Sequence, residues 1–305
     1  DKINASISLR FGDENSLMDK KYAPYLLADL LKTGTSTRSR KQISDELDKI
    51  KTDISFSGFP NGLTINVNTD KKNLAAALAL LDDLLRNPKF DAAEFDQAVL
   101  DAKASTEANM SDPQTIVSEK LSKLTTNYPK GHPSYASSSA EQLEELAKTS
   151  LDDVKNFYKD FYGANNSISA FVGELDKNTI TGFLNKTFGT WDSKMKFTAI
   201  APKHFDVKGG TEAINTPDKT NAVVLGNINI NISETHKDYP ALFMANELLG
   251  GGAFLSSRIP MRLRENEGMS YGAGTYMNSN YKYDVTNWGL YAIFNPLYKG
   301  RLDSA

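Results

Sequence analysis

Arg264 and Tyr271 are the two side chains of this sequence whose types and spacing best suit chemistry on a peptide group. They lie seven residues apart, at the two ends of the segment RENEGMSY. Arginine is a permanent cation with several N–H donors, and a tyrosine hydroxyl can donate one more hydrogen bond. Such donors can bind a peptide carbonyl or stabilise an oxyanion that develops from it. We therefore treat the pair as the candidate site.

The elements around the pair are predicted to bring the two side chains into the same space. An apolar helix, FMANELL, is predicted to end at the three glycines 250–252. Glycine takes the positive φ angles that close helices, and it lets backbone segments approach closely. A second helix carries Arg264 in its cationic last turn and stops at Gly268. Tyr271 then lies just inside a strand, MSYGAGTYM, whose residues alternate as in a sheet.

A structural role is the alternative for the same two residues. Arg264 can simply complement the C-terminus of its helix, and Tyr271 can pack in a sheet. For an isolated pair that interpretation would be the better one. The surrounding sequence favours the other, because LLGGG, SSR and LRENEGMSYG closely resemble a signature of the pitrilysin/insulinase family of zinc metallopeptidases.

The resemblance to this family extends over nearly the entire chain. GHPSY, LDDVKNFYKDFYGANNSISAFVGELD and FGTW are similar to the second half of the family's first domain. In that family an arginine and a tyrosine seven residues apart belong to the half that lacks zinc, and they contact the substrate main chain across a closed chamber. The resemblance therefore implies that the substrate is a peptide and that Arg264 and Tyr271 support substrate binding and the transition state.

The residues that would bind zinc in such a domain are replaced in this chain. The family's zinc domain carries His-x-x-Glu-His on the helix before a Gly-Thr ending, and Tyr25, Ala28 and Asp29 occupy those positions. A phenol, a methyl group and one carboxylate do not reproduce two imidazoles and a water-activating glutamate. Glu107, the nearest counterpart of the family's third ligand, is interpreted as an exposed helix residue. We expect no cofactor in this chain and zinc on a partner half.

The three histidines of the sequence are the other residues that suggest a metal site. His132 lies in a Gly-Pro loop, His204 lies in a linker and His236 precedes a helix. Residues from unrelated positions can converge in a fold, but surface or loop-bonding roles are more common for histidine. We therefore predict that these three side chains bind no metal.

Composition argues against several classes of function. Lys and Arg total 35 against 38 Asp and Glu, a formal charge of −3, so nothing favours nucleic acid or an anionic membrane as a partner. The sequence contains no apolar run near the length that spans a bilayer. Cysteine is absent, which excludes disulfides, thiolate metal sites and cysteine nucleophiles. The residues do not indicate a compartment, and analogy with the family suggests the periplasm.

Two strand–helix cycles organise the chain. INASISLRFG followed by KKYAPYLLADLLKTGT is repeated by TNAVVLGNINI followed by KDYPALFMANELLGGG, at an offset of about 217 to 218 residues. We predict an α+β fold of two duplicated domains, each a mixed, mostly antiparallel sheet backed by helices. The first spans 1–197, a linker spans 198–216, and the second spans 217–305 and is incomplete relative to the first. Within the first domain, one long polar helix is predicted from Asp91 to about Leu124, with a kink near Pro113.

Two hypotheses about function follow from the residues and the resemblance. In the first, the chain is the non-catalytic half of a zinc metalloendopeptidase and is inactive alone. Its partner half carries His-x-x-Glu-His on the same parent chain or on a separate subunit, and this half forms a chamber wall and supplies Arg264 and Tyr271. In the second, the chain is a structural or assembly subunit of the same superfamily. The presence of both donors favours the first hypothesis, because a scaffold does not require the pair.

Overall fold

A computed structural model describes residues 2–252 and 256–298 of the chain. The chain divides into two compact units. Unit 1 comprises residues 1–106, 129–134 and 141–200, and unit 2 comprises residues 107–128, 135–140 and 201 onward. This division differs from the predicted domains, which were continuous segments, because two stretches of the first half of the chain belong to unit 2. Residues 198–216 contain no helix or strand.

The helices and strands follow one another in two cycles. Those before residue 200 are β1 (Lys2–Arg10), α1 (Ala23–Leu30), α2 (Arg40–Lys49), β2 (Asp53–Phe59), β3 (Gly62–Asp70), α3 (Leu74–Arg86), α4 (Ala92–Asn109), α5 (Pro113–Thr125), α6 (Ser139–Lys148), α7 (Leu151–Phe161), β4 (Ser167–Val172) and α8 (Lys177–Phe188). Those after it are β5 (Ala222–Ile230), α9 (Tyr239–Asn246), a π-helical turn (Glu247–Gly251), α10 (Arg258–Pro260), a π-helical segment (Met261–Asn266), β6 (Ser270–Ser279) and β7 (Thr286–Phe294).

Unit 1 is built on an antiparallel sheet with the strand order β2-β3-β1-β4. The strand predicted in INASISLRFG is confirmed as β1, in which Ile3, Ile7 and Leu9 are buried while the polar residues between them face outward. In the register of β1 with β3, Ile7 lies opposite Ile65 and Leu9 opposite Leu63. Paired apolar side chains therefore form one continuous buried face on this sheet.

Helices cover the buried face of the unit 1 sheet. The helix α1 packs against β2 and α7, and α3 packs against α8. An aromatic cluster of Phe11, Phe157, Phe161 and Tyr162 lies in this core, with the rings of Phe157 and Phe161 stacked at a centroid distance of 4.3 Å. Each such side chain contributes roughly 1.5–3 kcal/mol through burial. This large apolar core is what holds α1 in place.

The single long helix predicted from Asp91 to about Leu124 is wrong. The helix α4 ends at Asn109, and α5 begins at Pro113. Asp112 is extended between them, and its carboxylate accepts hydrogen bonds from the backbone N–H groups of Gln114 and Thr115. Because proline lacks an N–H and favours the first helical turn, this sequence starts a new helix rather than kinking the old one.

Unit 2 contains the second sheet, whose antiparallel strand order is β5-β7-β6. The helix α5 packs against β5, where the Asn229 side chain donates hydrogen bonds to the carbonyls of Thr125 (2.8 Å) and Phe205 (3.0 Å). The buried apolar residues of unit 2 form a small core that involves the π-helical segment, β6 and β7. These residues are Leu263, Met269, Ala273, Ala292 and Phe294. The chain segment predicted to carry chemistry therefore also supplies much of the core of unit 2.

The predicted α+β class is confirmed. Every strand pair in the two sheets is antiparallel, so the described sheets are simpler than the mixed sheets that were predicted. The predicted duplication is visible in the topology, because the first strand of each cycle pairs with the second strand of the following hairpin: β1-β3-β2 in unit 1 and β5-β7-β6 in unit 2. Across the described residues, no helix has the length and apolar character needed to cross a membrane.

Candidate functional site

The first of the three glycines after α9 lies close to the backbone of β6. The π-helical turn Glu247–Gly251 packs against β6. A Cβ added to Gly250 would lie 2.5 Å from the backbone nitrogen of Thr275, and one added to Gly274 would lie 2.8 Å from the carbonyl oxygen of Gly250. None of the three glycines has a positive φ. Their predicted role in closing the helix by positive φ is therefore wrong, and their role in close backbone approach is confirmed.

Asn246 connects the end of α9 to the sheet. It is 5% exposed, and its side-chain oxygen accepts a hydrogen bond of 3.0 Å from the indole N–H of Trp288 in β7. Its backbone carbonyl accepts a hydrogen bond of 3.2 Å from the hydroxyl of Thr275 in β6. A buried amide needs such partners, because unsatisfied polar groups are costly in a core. Sequence reasoning missed this residue, since no motif marks an asparagine that binds partners far along the chain.

Arg264 lies in the π-helical segment Met261–Asn266. A hydrogen bond of 3.1 Å from the backbone N–H of Glu267 to the carbonyl of Arg262 spans five residues, as in a π-helix. Leu263 is buried, whereas the side chain of Arg264 is 40% exposed and its Nε lies 3.4 Å from the Glu265 carboxylate. The guanidinium of Arg264 therefore lies at the surface, while the buried side chain of Leu263 anchors the segment that carries it.

Gly268 ends this segment, as predicted. It has a φ of 60°, which glycine adopts without strain, and its N–H donates to the carbonyl of Arg264 at 3.1 Å. The N–H of Met269 donates to the carbonyl of Leu263 at 2.8 Å. These bonds fix the backbone between Arg264 and the start of β6.

Tyr271 lies in β6 at an irregularity of the strand pairing. Ser270 lies opposite Phe294 and Gly272 lies opposite Ile293, so Tyr271 is an extra residue on its strand, a β-bulge. The Tyr271 side chain lies outside the described part of the structure. The predicted convergence of this side chain with Arg264 thus stays a prediction, while the backbone path that leads from one residue to the other is defined.

The three positions predicted to be a degenerate metal motif lie on α1 in unit 1. Tyr25 is 39% exposed and Asp29 is also exposed, so the two side chains follow one another along the outer face of the helix. Ala28 is buried, and its Cβ lies close to Gly58 of β2, where an added Cβ would be 3.1 Å away. Desolvation raises the pKa of the Tyr25 hydroxyl. A neutral phenol beside a carboxylate is a poor ligand set for zinc, which prefers imidazole and thiolate.

Asp101 of α4 influences the carboxyl group of Asp29 electrostatically. Desolvation is the main reason that the pKa of Asp29 is raised, and the negative charge of Asp101 raises it further while Lys32 opposes the change. Glu107 is exposed near the end of α4, as predicted. In the described residues, no group of three or more His, Asp or Glu side chains is arranged to hold a metal ion. The residues present therefore do not fit the zinc that the resemblance implies for a catalytic domain.

The three histidines occupy separate local environments. His132 is 2% exposed in unit 1, where its Nδ1 accepts the backbone N–H of Ser134 at 2.9 Å and its Nε2 lies 3.1 Å from the Glu14 carboxylate. His236 in unit 2 accepts the backbone N–H of Asp238 at 3.2 Å. His204 lies in the stretch of unit 2 that has no helix or strand. The loop-bonding role predicted for histidine thus describes His132 and His236.

Comparison with known proteins relates the chain to one family over both halves. A sequence profile described as "Peptidase M16 inactive domain" matches residues 148–304, and one described as "Insulinase (Peptidase family M16)" matches residues 15–137. A Rickettsia felis protein named "Uncharacterized zinc protease" is 24% identical over 304 residues, which cover 96% of this chain and 68% of that protein. "Uncharacterized zinc protease YmxG" of Bacillus subtilis is 24% identical over 256 residues, which cover 84% of this chain and 60% of that protein.

Solved structures share the fold. The peptidase M16 inactive domain from Pseudomonas fluorescens superposes with a TM-score of 0.81 at 18% identity, covering 99% of this chain and 71% of that one. A protease from Helicobacter pylori superposes with a TM-score of 0.76 at 18% identity, covering 99% and 72%. The chain thus spans roughly 60 to 72% of the length of these proteins.

Proposed function

This chain belongs to peptidase family M16, and from that premise we propose that it is the non-catalytic half of a zinc-dependent metalloendopeptidase. In this proposal the chain forms one wall of a chamber that encloses a peptide or an unfolded protein. It supplies Arg264 and Tyr271 to an active site whose zinc is held by a partner half carrying His-x-x-Glu-His. The partner is either another part of the same parent chain or a separate subunit.

The chemistry of α1 carries this proposal. The three positions of the metal motif are filled by Tyr25, Ala28 and Asp29, and the buried Ala28 stands where a catalytic domain would need a glutamate. None of the three residues supplies an imidazole, and zinc sites in peptidases use histidine ligands. A chain of this family without those ligands therefore requires a second half for peptide hydrolysis.

The surroundings of Arg264 suit a donor that acts on a bound peptide. An arginine guanidinium is a cation that offers several N–H donors. It stands on a π-helical segment, and such segments are frequent at functional sites. The bonds around Gly268 and Met269 fix the backbone near it, so little reorganisation is needed when substrate binds. Preorganised donors of this kind stabilise a developing oxyanion more strongly than mobile ones.

Tyr271 is proposed to donate the second hydrogen bond. Its place in a β-bulge supports this role, since bulges often occur beside active sites, where they change the direction of a side chain. Together the two residues would hold one peptide carbonyl from the side opposite the partner half. Neither donor requires a change of protonation state during turnover.

Assembly with a partner tests this proposal. The chain is expressed alone and together with a His-x-x-Glu-His chain of the same family, and each preparation is dialysed, analysed for zinc and assayed with a quenched fluorogenic peptide. We expect the two chains to copurify, zinc and cleavage to depend on the partner, and the chain alone to contain far less than one equivalent of zinc. About one equivalent of zinc in the chain alone, lost in His132→Ala, His204→Ala or His236→Ala, would contradict the proposal. Copurification with a complex that has no peptidase activity would instead support a structural or assembly subunit.

A further inference from the structure

We propose that Ser270 is a positioning residue for Tyr271, because its hydroxyl holds the β-bulge in which the backbone of Tyr271 lies. The inference rests on the proposed role of Tyr271 as a hydrogen-bond donor to the substrate. Ser270 itself is 4% exposed and is assigned no contact with the substrate.

The bulge changes which residues of β6 face the core. Ser270 and Ala273 are three residues apart, so a regular strand would place them on opposite faces of the sheet. Here Ser270 lies opposite Phe294 and Ala273 lies opposite Ala292, two residues that are both buried on one face of β7. From Gly272 onward the pairing is regular to the end of the strand. The shift in alternation is therefore concentrated at Tyr271.

The hydroxyl of Ser270 makes hydrogen bonds within the bulge and across to β7. Its oxygen accepts the backbone N–H of Gly272 at 3.2 Å. It also lies 2.6 Å from the carbonyl oxygen of Ile293 and 2.9 Å from that of Gly272, and its single proton is shared between these two acceptors. Buried backbone groups need such partners, so losing the hydroxyl would favour regular pairing or a looser strand.

Along the backbone from Arg264 to Tyr271, Ser270 is the last residue before Tyr271 that is held by hydrogen bonds. The hydrogen bonds of Gly268 and Met269 fix the backbone up to the start of β6 without any contribution from the Ser270 hydroxyl. A change at Ser270 should therefore alter the backbone at Tyr271 and leave the position of Arg264 as it is. This separates the expected effect from a general loss of structure in the segment.

Two substitutions of equal shape isolate the hydroxyl of Ser270. Ser270→Thr keeps the hydroxyl and Ser270→Val lacks it, while both side chains have the same branched shape and suit a strand. In the complex with the zinc-bearing half, assayed with a quenched fluorogenic peptide, we expect near wild-type turnover for Ser270→Thr. For Ser270→Val we expect kcat to fall roughly tenfold with KM unchanged, as for a misplaced catalytic group. Ser279→Ala, a serine loss in the regular part of the same strand opposite Thr286, serves as the control and should change neither constant.

A double variant shows whether Ser270 acts through Tyr271. Ser270→Val combined with Tyr271→Phe should be no slower than Tyr271→Phe alone, because a misplaced hydroxyl has no further effect once it is removed. Multiplied effects, or wild-type turnover of Ser270→Val when Tyr271→Phe is slow, would overturn the positioning role.

Amide exchange distinguishes failure of this inference from failure of the proposed function. Wild-type turnover of Tyr271→Phe would remove Tyr271 from the proposed mechanism, and Ser270 would then have no catalytic group to position. The bulge can still be examined in that case, since the amide of Gly272 should exchange faster in Ser270→Val than in Ser270→Thr or Ser279→Ala. Equal exchange in all three variants would show that the hydroxyl does not hold the bulge and would overturn the structural basis of the inference.

Discussion

The two units repeat one topology but bury its first helix to very different extents. In both units the first strand pairs with the second strand of the following hairpin. Six of the eight residues of α1 in unit 1 are buried, whereas among the eight residues described for α9 in unit 2 only Asn246 is. The same element is thus a core helix in one unit and a surface helix in the other.

This difference shows that one topology can have two uses. In unit 1 it builds a large apolar core, and in unit 2 it holds side chains at the surface. The core of unit 1 extends from the sheet through several helices, while the buried apolar core of unit 2 comprises a few residues around Leu263 and Phe294. In unit 2 much of the order of the candidate site comes from backbone contacts and hydrogen bonds, as at Gly250 and Asn246. Segments with little apolar burial open at lower cost, so unit 2 is expected to be the more adaptable of the two.

The strongest test of the comparison substitutes a leucine of α1 and its counterpart in the π-helical turn Glu247–Gly251 that follows α9. Leu30 is fully buried in α1, and Leu248, its counterpart in the repeat, is 62% exposed. We expect Leu30→Ala to lower the free energy of unfolding by about 2–5 kcal/mol, and Leu248→Ala to change it by about 0.5 kcal/mol or less. Urea unfolding measures both, with Trp191 fluorescence reporting unit 1 and Trp288 fluorescence reporting unit 2. Equal losses would show that the surface of this turn at Leu248 is covered in solution.

The second test concerns the use of unit 2 for chemistry. In the complex with the zinc-bearing half, Arg264→Ala should lower turnover by on the order of 10²-fold, the effect of losing one oxyanion donor, with zinc content unchanged. Arg262→Ala is the matched control, because Arg262 lies in the same π-helical segment and pairs with Glu267 at 3.2 Å. Wild-type turnover of Arg264→Ala, with or without a loss of stability, would leave this half as a chamber wall alone.

The third test concerns the backbone contact that unit 2 uses in place of a large core. Gly274→Ala places a methyl group 2.8 Å from the carbonyl oxygen of Gly250, so we expect it to destabilise unit 2 by roughly 1–3 kcal/mol. Gly272→Ala in the same strand meets no atom within 4 Å and should change the free energy of unfolding little. The Trp288 transition measures both variants. Indistinguishable midpoints would mean that the close approach is not maintained in solution.

The smallest expected effect is a dependence on pH that belongs to unit 1. Desolvation alone would raise the pKa of Asp83, but hydrogen bonds from Thr35, Asn87 and Arg38 outweigh it and lower that pKa. A carboxyl whose folded pKa lies below its unfolded pKa stabilises the fold fully above the unfolded value, near pH 4. That contribution disappears as the pH falls through the folded value.

Asp83→Asn should therefore flatten the pH dependence of the unit 1 transition below about pH 4. The transition reported by Trp191 is measured from neutral to acidic pH in the wild type and the variant, and the transition reported by Trp288 serves as the internal control. The same slope in both proteins would show that the hydrogen bonds of Asp83 do not stabilise its charged form.

Local patterns in the sequence predicted the elements that depend on local spacing. The first strand and the end of the candidate segment at Gly268 agree with the structure. The prediction of one long helix from Asp91 to about Leu124 failed, because the same local pattern is compatible with two structures. A proline after Asp112 can kink a helix or begin a new one, and the capping bonds of Asp112 decide for the second.

The positions of the metal motif show the same limit of sequence analysis, here for residues that lie far apart in the chain. That Tyr25, Ala28 and Asp29 supply no imidazole follows from residue type alone. The prediction that Glu107 is an exposed helix residue agrees with the structure, whereas the influence of Asp101 on Asp29 was not predicted. Which residue of a long helix faces another helix depends on how the two pack, and spacing along one chain does not contain that information.

By itself, the sequence determined the family, the α+β class, the absence of imidazole ligands on α1 and the choice of Arg264 and Tyr271 as candidates, because each depends on residue type and short spacing. Only the tertiary structure decided that the glycine turn packs on Gly274, that Asn246 joins α9 to the sheet and that Ser270 holds a bulge beside Tyr271. The first two features depend on contacts between residues far apart in the chain, which a local hydrophobic pattern does not record. The third depends on one residue inserted into a strand, which shifts the alternation at a point that only the pairing with β7 reveals.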